Sequence, residues 1–213
     1  PYGDVEALRE ALEARGEEVA GFIVEPVQGE GGIVEPPSDY LARAAALCAE
    51  YGVKLVLDEV QTGLGRTGKL FACSDAGFVP DVLLVGKALG GGLMPIGALL
   101  YKADCYSEAF GLKHTSTFAG NALACRAGLA TLDRLAQDDF ALVRQVARLG
   151  AMLKADLQAI SDEYPHLLRA VRGQGFMLGL ELTTEAEMFG PQSLVGVLAA
   201  QERLATLLAG YLL

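Results

Sequence analysis

Short apolar segments alternate with amphipathic helical segments through the first half of the chain, and this alternation limits the fold more than any other feature. Asp4 can cap a helix that runs to Arg15, and Ser38 can cap a second helix that ends near Gly52. The apolar segments are residues 19–24, 54–57, 82–85 and 96–101. Strands that are apolar on both faces are typical of a mostly parallel sheet covered by helices. The sequence therefore predicts an α/β fold.

The last of these segments follows a glycine-rich turn at residues 90–92. It can form a hairpin with the strand before it or enter the same sheet by another route. In either arrangement, functional residues are expected just after the strands, because ligands of such folds bind beyond the carboxyl ends of parallel strands.

The second half of the chain predicts a long helix and the beginning of another domain. Helical periodicity covers residues 121–164, with a break expected near residues 137–139 and an end at Pro165. Residues 175–182 then have the pattern of a strand, and residues 192–208 that of a helix. This order is typical of a small α+β domain.

We therefore expect two domains. Residues 1–136 would be part of a large domain, and residues 137–213 would contribute a bridging helix and part of a small C-terminal domain. No initiator Met precedes Pro1, and the apolar stretch at residues 207–213 lacks a cap. We expect the chain to be a fragment of a longer protein.

Charge and composition exclude several classes of partner. A formal net charge of -10 and a pI near 4.7 disfavour binding to nucleic acid. Apolar runs are much shorter than the roughly 20 residues that a membrane helix needs, and no signal peptide opens the chain. We expect a cytoplasmic protein with no membrane partner. The cysteines are isolated along the sequence, which predicts free thiols and no metal site: Cys48, Cys73, Cys105 and Cys125.

Charged residues follow two neighbouring strands of the predicted sheet. Asp58 and Glu59 come after one strand, and Gly86 and Lys87 come after the next. Apolar neighbours would desolvate Lys87 and favour its neutral amine, which can attack a carbonyl group. The alternative is an ordinary surface lysine at the end of a strand.

A glycine-rich segment at residues 63–70 partly matches two nucleotide-binding motifs, G-x-G-x-x-G and the phosphate loop. Leu70 stands where the phosphate loop has a magnesium-binding hydroxyl. Residues 58–62 also separate the strand from the first glycine, so the tight strand-to-helix turn is missing. An NTPase or dinucleotide-binding function is disfavoured on both counts.

Four segments together resemble the class III aminotransferases, among them the ornithine, acetylornithine and putrescine aminotransferases. They occur in the family's order, as VEPVQGEGG at 24–32, DEVQTGLGRTG at 58–68, GKALGGG at 86–92 and HTSTFAGN at 114–121. The resemblance implies the large domain of the fold type I transferases that depend on pyridoxal 5'-phosphate. It also implies that the glycines after Asp58 form a tight loop around the site.

The resemblance implies a role for each matching residue. Lys87 would hold the cofactor as a Schiff base and later move the substrate proton, and Asp58 would pair with the protonated pyridine nitrogen. Val60 would pack on one face of the ring, while Gln61 would bind the phenolic oxygen. Thr117 would reach the phosphate of the cofactor bound to the partner subunit, or it would cap the helix that follows.

The family also implies residues near the substrate. Glu25 and Glu30 follow a strand and could face the substrate, and Glu30 matches a position that can pair with a carboxylate-binding arginine. The resemblance places that arginine after Leu213, and it places the family's phosphate-binding turn and a ring-covering aromatic residue before Pro1. His114 is expected to orient its loop, since Lys87 already provides a base.

The resulting hypothesis is a homodimeric enzyme with shared active sites, which moves an amino group from an amine or ω-amino donor to a 2-oxo acid. Two alternatives stay open at this point. The chain could belong to a related enzyme that uses the same cofactor, such as an aminomutase or decarboxylase. It could instead be a non-catalytic or truncated domain that acts in dimerisation.

Overall fold

The computed structural model of the chain describes residues 1–113, 116–183, 193, 196–197 and 205. Helices and strands alternate in its first half, as the sequence predicts. In chain order the elements are α1 (Val5–Arg15), β1 (Gly21–Val24), α2 (Tyr40–Glu50), β2 (Lys54–Asp58), β3 (Val82–Val85), β4 (Ala98–Tyr101), α3 (Glu108–Lys113), α4 (Ala122–Glu163), β5 (Leu168–Gln174) and β6 (Met177–Leu182).

The main sheet has four strands in the order β1-β2-β3-β4. Strands β1, β2 and β3 are parallel, whereas β4 is antiparallel to β3 and so forms the hairpin that was one of its two predicted arrangements. The α/β class with a mostly parallel sheet is therefore confirmed. Because the first three strands are parallel, their carboxyl ends lie at one edge of the sheet, which we call the carboxyl edge.

The first two helices pack on this sheet and supply much of its core. Leu12 of α1 and Leu47 of α2 are buried in one cluster with Leu55 and Leu57 of β2. Removing such side chains from water is the main force that holds helices on a sheet. The core thereby fixes β2, the strand that leads to Asp58.

The caps of these helices were only partly predictable. Asp4 caps α1 as expected, since its carboxylate accepts a hydrogen bond of 2.9 Å from the N–H of Ala7. The prediction that Ser38 caps α2 is wrong. A hydrogen bond from the N–H of Tyr40 to the carbonyl of Pro37 forms a turn that places Asp39 at the cap position.

Helix α4 is interrupted where the sequence predicts a break. Residues 137–140 have non-helical backbone angles, and Asp138, Asp139 and Phe140 all adopt positive φ. The chain divides into two compact units, and the boundary between them lies within α4. The first unit is Pro1–Gly150 with Gly173–Met177, and the second contains Ala151–Arg172 and resumes at Leu178. The expected domain boundary near residue 136 stays a prediction.

Strands β5 and β6 form a separate two-stranded sheet joined by a turn at Gly175. The sequence predicts β6 but not β5. The helix expected at residues 192–208 falls mostly outside the described residues. Within the described part of the chain, no helix has the length and apolarity needed to cross a membrane.

Candidate active site

Asp58 ends β2 at the carboxyl edge of the sheet, and its side chain is held by the backbone. Its register partner on β3 is Leu84, whose carbonyl accepts a 3.0 Å hydrogen bond from the N–H of Glu59. The Asp58 carboxylate accepts a 3.0 Å bond from the N–H of Val60. Asp58 is only half-buried, so its carboxylate is fixed in direction without being enclosed by the described residues.

Lys87 lies at the same edge, in a tight 3-10 turn that follows β3 through Gly86. Its φ of 42° lies in the left-handed region that side-chain-bearing residues rarely adopt. Bonds of 2.9 Å from the N–H of Leu89 to Gly86 and from the N–H of Gly91 to Ala88 hold the turn in place. Strain of this kind persists where the surrounding structure enforces it, and it is enriched at functional sites.

The expectation that apolar neighbours desolvate Lys87 is wrong for the residues described. Lys87 is exposed, whereas Val85 and Leu89 on either side of it are buried. The physical reason is the turn itself, which directs the apolar neighbours into the core and leaves Lys87 at the surface of the carboxyl edge.

Val60 connects the segment after β2 with the segment that carries Lys87. A Cβ atom at Gly86 would lie 3.5 Å and 3.6 Å from the two methyl groups of Val60, which is ordinary van der Waals distance. Val60 therefore lies against the residue that precedes Lys87. The β2–β3 register and this contact together bring Asp58, Val60 and Lys87 to one part of the edge.

Gln61 extends this cluster to the loop after β1. A Cβ atom at Gly29 would lie only 2.5 Å from the amide nitrogen of Gln61, so the side chain of Gln61 lies directly over Gly29. The Glu25 carboxylate accepts a 3.2 Å hydrogen bond from the N–H of Gly29. Glu25 thus holds the loop against which Gln61 rests, and the two predicted site residues belong to one arrangement.

The remaining predicted residues occupy exposed turns. Glu30 lies in the turn after Gly29, whose carbonyl accepts hydrogen bonds from the N–H groups of Gly32 and Ile33. Thr117 lies in the turn of residues 116–120 that leads into α4. The cap of that helix is Asn121, which accepts a 3.0 Å bond from the N–H of Ala124, so Thr117 does not act as the cap. His114 lies outside the described residues.

Sequence reasoning assigned no role to Glu59, which is 1% exposed and hydrogen-bonded to the segment at residues 72–73. Burial, and then the nearby Glu59 charge, raise the pKa of the Cys73 thiol to about 12. The burial of Glu59 could have been predicted from the sequence. Every second residue of β2 is buried, and the same spacing after Leu57 places residue 59 on the buried face.

Two of the glycines after Asp58 are explained by close packing against α4. Gly65 and Gly68 have φ values of 91° and 84°, and a Cβ atom at Gly68 would lie 2.7 Å from the Cα of Ala147. The loop is thus pressed against the helix, where only glycine fits. This packing accounts for the partial match to nucleotide-binding motifs without a nucleotide.

Comparison with known proteins identifies the family. Residues 3–206 match the family model of the class-III aminotransferases, and the chain belongs to that family. An ornithine aminotransferase from Toxoplasma gondii, crystallised with partial occupancy of PLP at its active site, is 41% identical with a TM-score of 0.80. The match covers 87% of this chain and 42% of that one.

Two other solved structures show the range of similar proteins. Acetylornithine aminotransferase from Elizabethkingia anophelis is 36% identical over 88% of this chain and 47% of its own, with a TM-score of 0.79. An (S)-enantioselective omega-transaminase from Thermomicrobium roseum is 37% identical over 84% of this chain and 40% of its own, with a TM-score of 0.77. The chain spans less than half the length of each of these structures.

Proposed function

We propose that the whole protein is a pyridoxal-phosphate-dependent aminotransferase that moves an amino group from an amine or ω-amino donor to a 2-oxo acid. The observation that carries this proposal is the meeting of Asp58, Val60 and Lys87 at the carboxyl edge, each in a segment that matches the family's motifs. Family membership favours this activity over a non-catalytic domain. The named activities of the similar structures favour it over an aminomutase or decarboxylase.

The chemistry of the side chains fits this cofactor. When bound, pyridoxal phosphate supplies an aldehyde that reacts with amines and a ring that accepts electrons from a neighbouring C–H bond. An amine suits the aldehyde, and a carboxylate fixed by the backbone suits the pyridinium N–H. The methyl groups of a valine suit the flat ring, and a side-chain amide suits the phenolic oxygen. These are Lys87, Asp58, Val60 and Gln61, in that order.

Each residue has a separate task in the proposed reaction. The Lys87 Nζ would hold the cofactor through its aldehyde and, once a substrate amine has taken its place there, would serve as the free amine that moves the proton of the substrate carbon. The Asp58 carboxylate holds the proton on the pyridine nitrogen, and a fixed negative charge there stabilises the positive ring. Val60 excludes water from one ring face, and Gln61 orients the ring through its oxygen.

Substrate binding is assigned to the loop after β1. Glu25 and Glu30 place two carboxylates on the loop that Gln61 contacts at Gly29, and negative charge there suits a substrate that carries a second amine better than one that carries a second carboxylate. This charge, together with the named activities of the similar proteins, supports an ω-amine donor. The acceptor is proposed to be a 2-oxo acid.

The proposed enzyme is a cytoplasmic homodimer in which Thr117 reaches the phosphate of the partner's cofactor. Exposed apolar side chains that follow Thr117 in the chain support a protein partner on this surface. Phe118 is 81% exposed and Leu123 is 66% exposed, and exposed apolar patches mark interaction sites. A second copy of the chain would cover them while bringing Thr117 to another site.

Borohydride reduction of the full-length protein with bound cofactor tests the central assignment. Reduction should fix the cofactor on Lys87, and peptide mapping should find it there. The comparison lysines are held in ion pairs, at 3.1 Å for Lys54 with Asp104, 3.0 Å for Lys69 with Asp75 and 3.2 Å for Lys102 with Asp81. Modification of one of these instead, or unchanged turnover in Lys87→Ala, would remove the assignment.

A further inference from the structure

Glu59 occupies a position that belongs to the hydrophobic core. On β2 and the residues flanking it, Val53, Leu55 and Leu57 alternate on the buried face, with exposures of 2%, 3% and 0%. The next residue on that face is Glu59, at 1%. A carboxylate removed from water to this degree is strongly unfavourable unless hydrogen bonds replace its hydration. Its presence here calls for a structural explanation.

Three donors surround the Glu59 carboxylate. Its Oε2 accepts a 2.5 Å hydrogen bond from the hydroxyl of Thr62, itself fully buried, and a 3.0 Å bond from the N–H of Ala72. Its Oε1 accepts a 2.9 Å bond from the N–H of Cys73. One side chain therefore ties the loop after β2 to a segment that lies more than a dozen residues further along the chain.

The position of Glu59 controls the direction of its neighbours. Successive side chains of an extended strand point to opposite faces, so a side chain fixed on the buried face at the end of a strand holds the strand residue before it outward. That residue is Asp58, and Val60 comes next in the turn, where its N–H donates to the Asp58 carboxylate. The bond to Thr62 fixes the turn after Glu59, which contains Val60 and Gln61.

We propose that Glu59 is the positioning residue of the candidate cofactor site, a buried clamp that fixes the directions of Asp58, Val60 and Gln61 without touching the cofactor itself. This inference rests on the proposed function of those three residues. It goes beyond that function by assigning their arrangement to a side chain on the opposite face of the strand.

Glu59→Gln tests the clamp with almost no change of shape. A glutamine has one acceptor oxygen and one NH₂ donor group in place of two acceptor oxygens. In either orientation of the amide, the NH₂ group faces the N–H of Ala72 or that of Cys73. One buried backbone N–H then loses its acceptor. Either the loop moves to give it another partner, or the N–H stays without a hydrogen bond.

The variant is compared with wild type by titrating full-length, cofactor-free protein with pyridoxal phosphate. Binding should weaken at least about tenfold, which corresponds to roughly 1.4 kcal/mol, and the absorbance band of the bound cofactor should shift. Thr62→Ser keeps the hydroxyl and should resemble wild type, whereas Thr62→Val should fall between wild type and Glu59→Gln.

A stability control separates positioning from folding. Leu12→Ala removes a buried side chain of α1, so it should lower the melting temperature without changing cofactor affinity or the absorbance band. If Glu59→Gln lowers the melting temperature but, like Leu12→Ala, leaves cofactor affinity and the absorbance band unchanged, Glu59 is structural and the proposal is wrong.

A measurement without cofactor separates this proposal from the proposed function. Hydrogen exchange at Ala72 and Cys73 should be faster in Glu59→Gln than in wild type, because one of the two amides loses its acceptor. Unchanged exchange would overturn the clamp even in an active enzyme. If wild type binds no cofactor through Lys87, the proposed function fails, while the exchange result still decides whether Glu59 holds the loop.

Discussion

At the residue scale, the site combines side chains that are fixed by very different means. Asp58 is held by a backbone N–H, Lys87 by a strained turn, and Gln61 by its contact with Gly29. The motif residues could be predicted from the sequence because their types match the chemistry of a carbonyl cofactor. Glu59 was missed because a carboxylate next to a candidate site residue is read as polar surface, and only the burial of its strand face distinguishes it.

Replacing Asp58 with Asn should abolish most of the proposed activity. The variant keeps the shape but removes the negative charge that holds the pyridine nitrogen protonated. Loss of such an electrostatic stabiliser typically costs about 2.7–4 kcal/mol, or roughly 10²–10³ in rate. Single-turnover kinetics of the full-length enzyme would measure the loss.

The control for this variant is Asp75→Asn. Asp75 is exposed, forms an ion pair with Lys69 and has no place in the proposed reaction. It should retain wild-type turnover, since surface ion pairs contribute little. A loss of only a few-fold in Asp58→Asn would show that Asp58 does not pair with the ring.

The Cys73 thiol should resist alkylation in the folded protein. Burial raises its pKa from 9.0 to about 12, so at pH 9 only about a thousandth of it would be the reactive thiolate. Iodoacetamide should leave Cys73 unmodified in native protein and label it in urea, as read by mass spectrometry. Rapid labelling of native protein at this pH would contradict the burial of Cys73.

The same shift predicts a loss of stability in alkaline solution. Above pH 9 the unfolded chain releases the Cys73 proton, whereas the folded chain keeps it up to about pH 12. The stability contributed by the protonated thiol is therefore complete below pH 9 and is lost as the pH rises through this window. Urea unfolding between pH 8 and pH 10 should show a smaller decline for Cys73→Ala than for wild type.

At the scale of elements, the strands that could be predicted from the sequence are those with a continuous run of apolar residues. Strands β2 and β3 are continuous apolar runs and were predicted within one residue of their ends. Strand β5 was missed because Arg169 and Arg172 interrupt its pattern. In the folded chain both lie near Glu181 on β6, at 3.8 Å and 3.3 Å, so the pairing of the two strands accommodates the charges. The sequence of β5 alone does not indicate that β6 will pair with it.

The loop after Asp58 should depend on glycine at position 68 for two separable reasons. Its φ is positive, which costs a non-glycine residue about 1–2 kcal/mol, and a Cβ atom would also collide with the backbone of Ala147. Gly68→Ala should therefore lower the free energy of unfolding by the φ strain plus about 1–3 kcal/mol of overpacking. Denaturant unfolding would measure this change.

Gly77→Ala is the matched control for the collision. Gly77 has a φ of 76°, close to that of Gly68, and nothing lies within 4 Å of its added Cβ atom. It should show the φ strain alone. Equal losses in the two variants would mean that the loop does not press against α4 as the structure has it.

At the scale of the whole molecule, the carboxyl edge supplies one part of the proposed active site and the surface around Thr117 supplies another. The parallel sheet explains the first part, because its register brings Asp58 close to the segment that ends in Lys87. The second part could be predicted only from the resemblance to the family. Thr117 is an exposed threonine in a turn, and nothing in the sequence around it indicates that it binds a partner's phosphate. A shared site therefore needs a test that uses two different subunits.

Mixed dimers of Lys87→Ala and Thr117→Ala subunits provide that test. If Thr117 acts across the interface, one site of the mixed dimer lacks both residues. The other site combines Lys87 of the Thr117→Ala subunit with Thr117 of its Lys87→Ala partner, and it is intact. Purified, differently tagged mixed dimers should then have about half of the wild-type activity per dimer, because one of their two sites works. If Thr117 instead served its own subunit, the only site with a lysine would lack its threonine, and the mixed dimer would be no more active than one site of the Thr117→Ala homodimer. Cofactor retention on dialysis gives the same distinction without turnover, since the intact site should hold pyridoxal phosphate as wild type does.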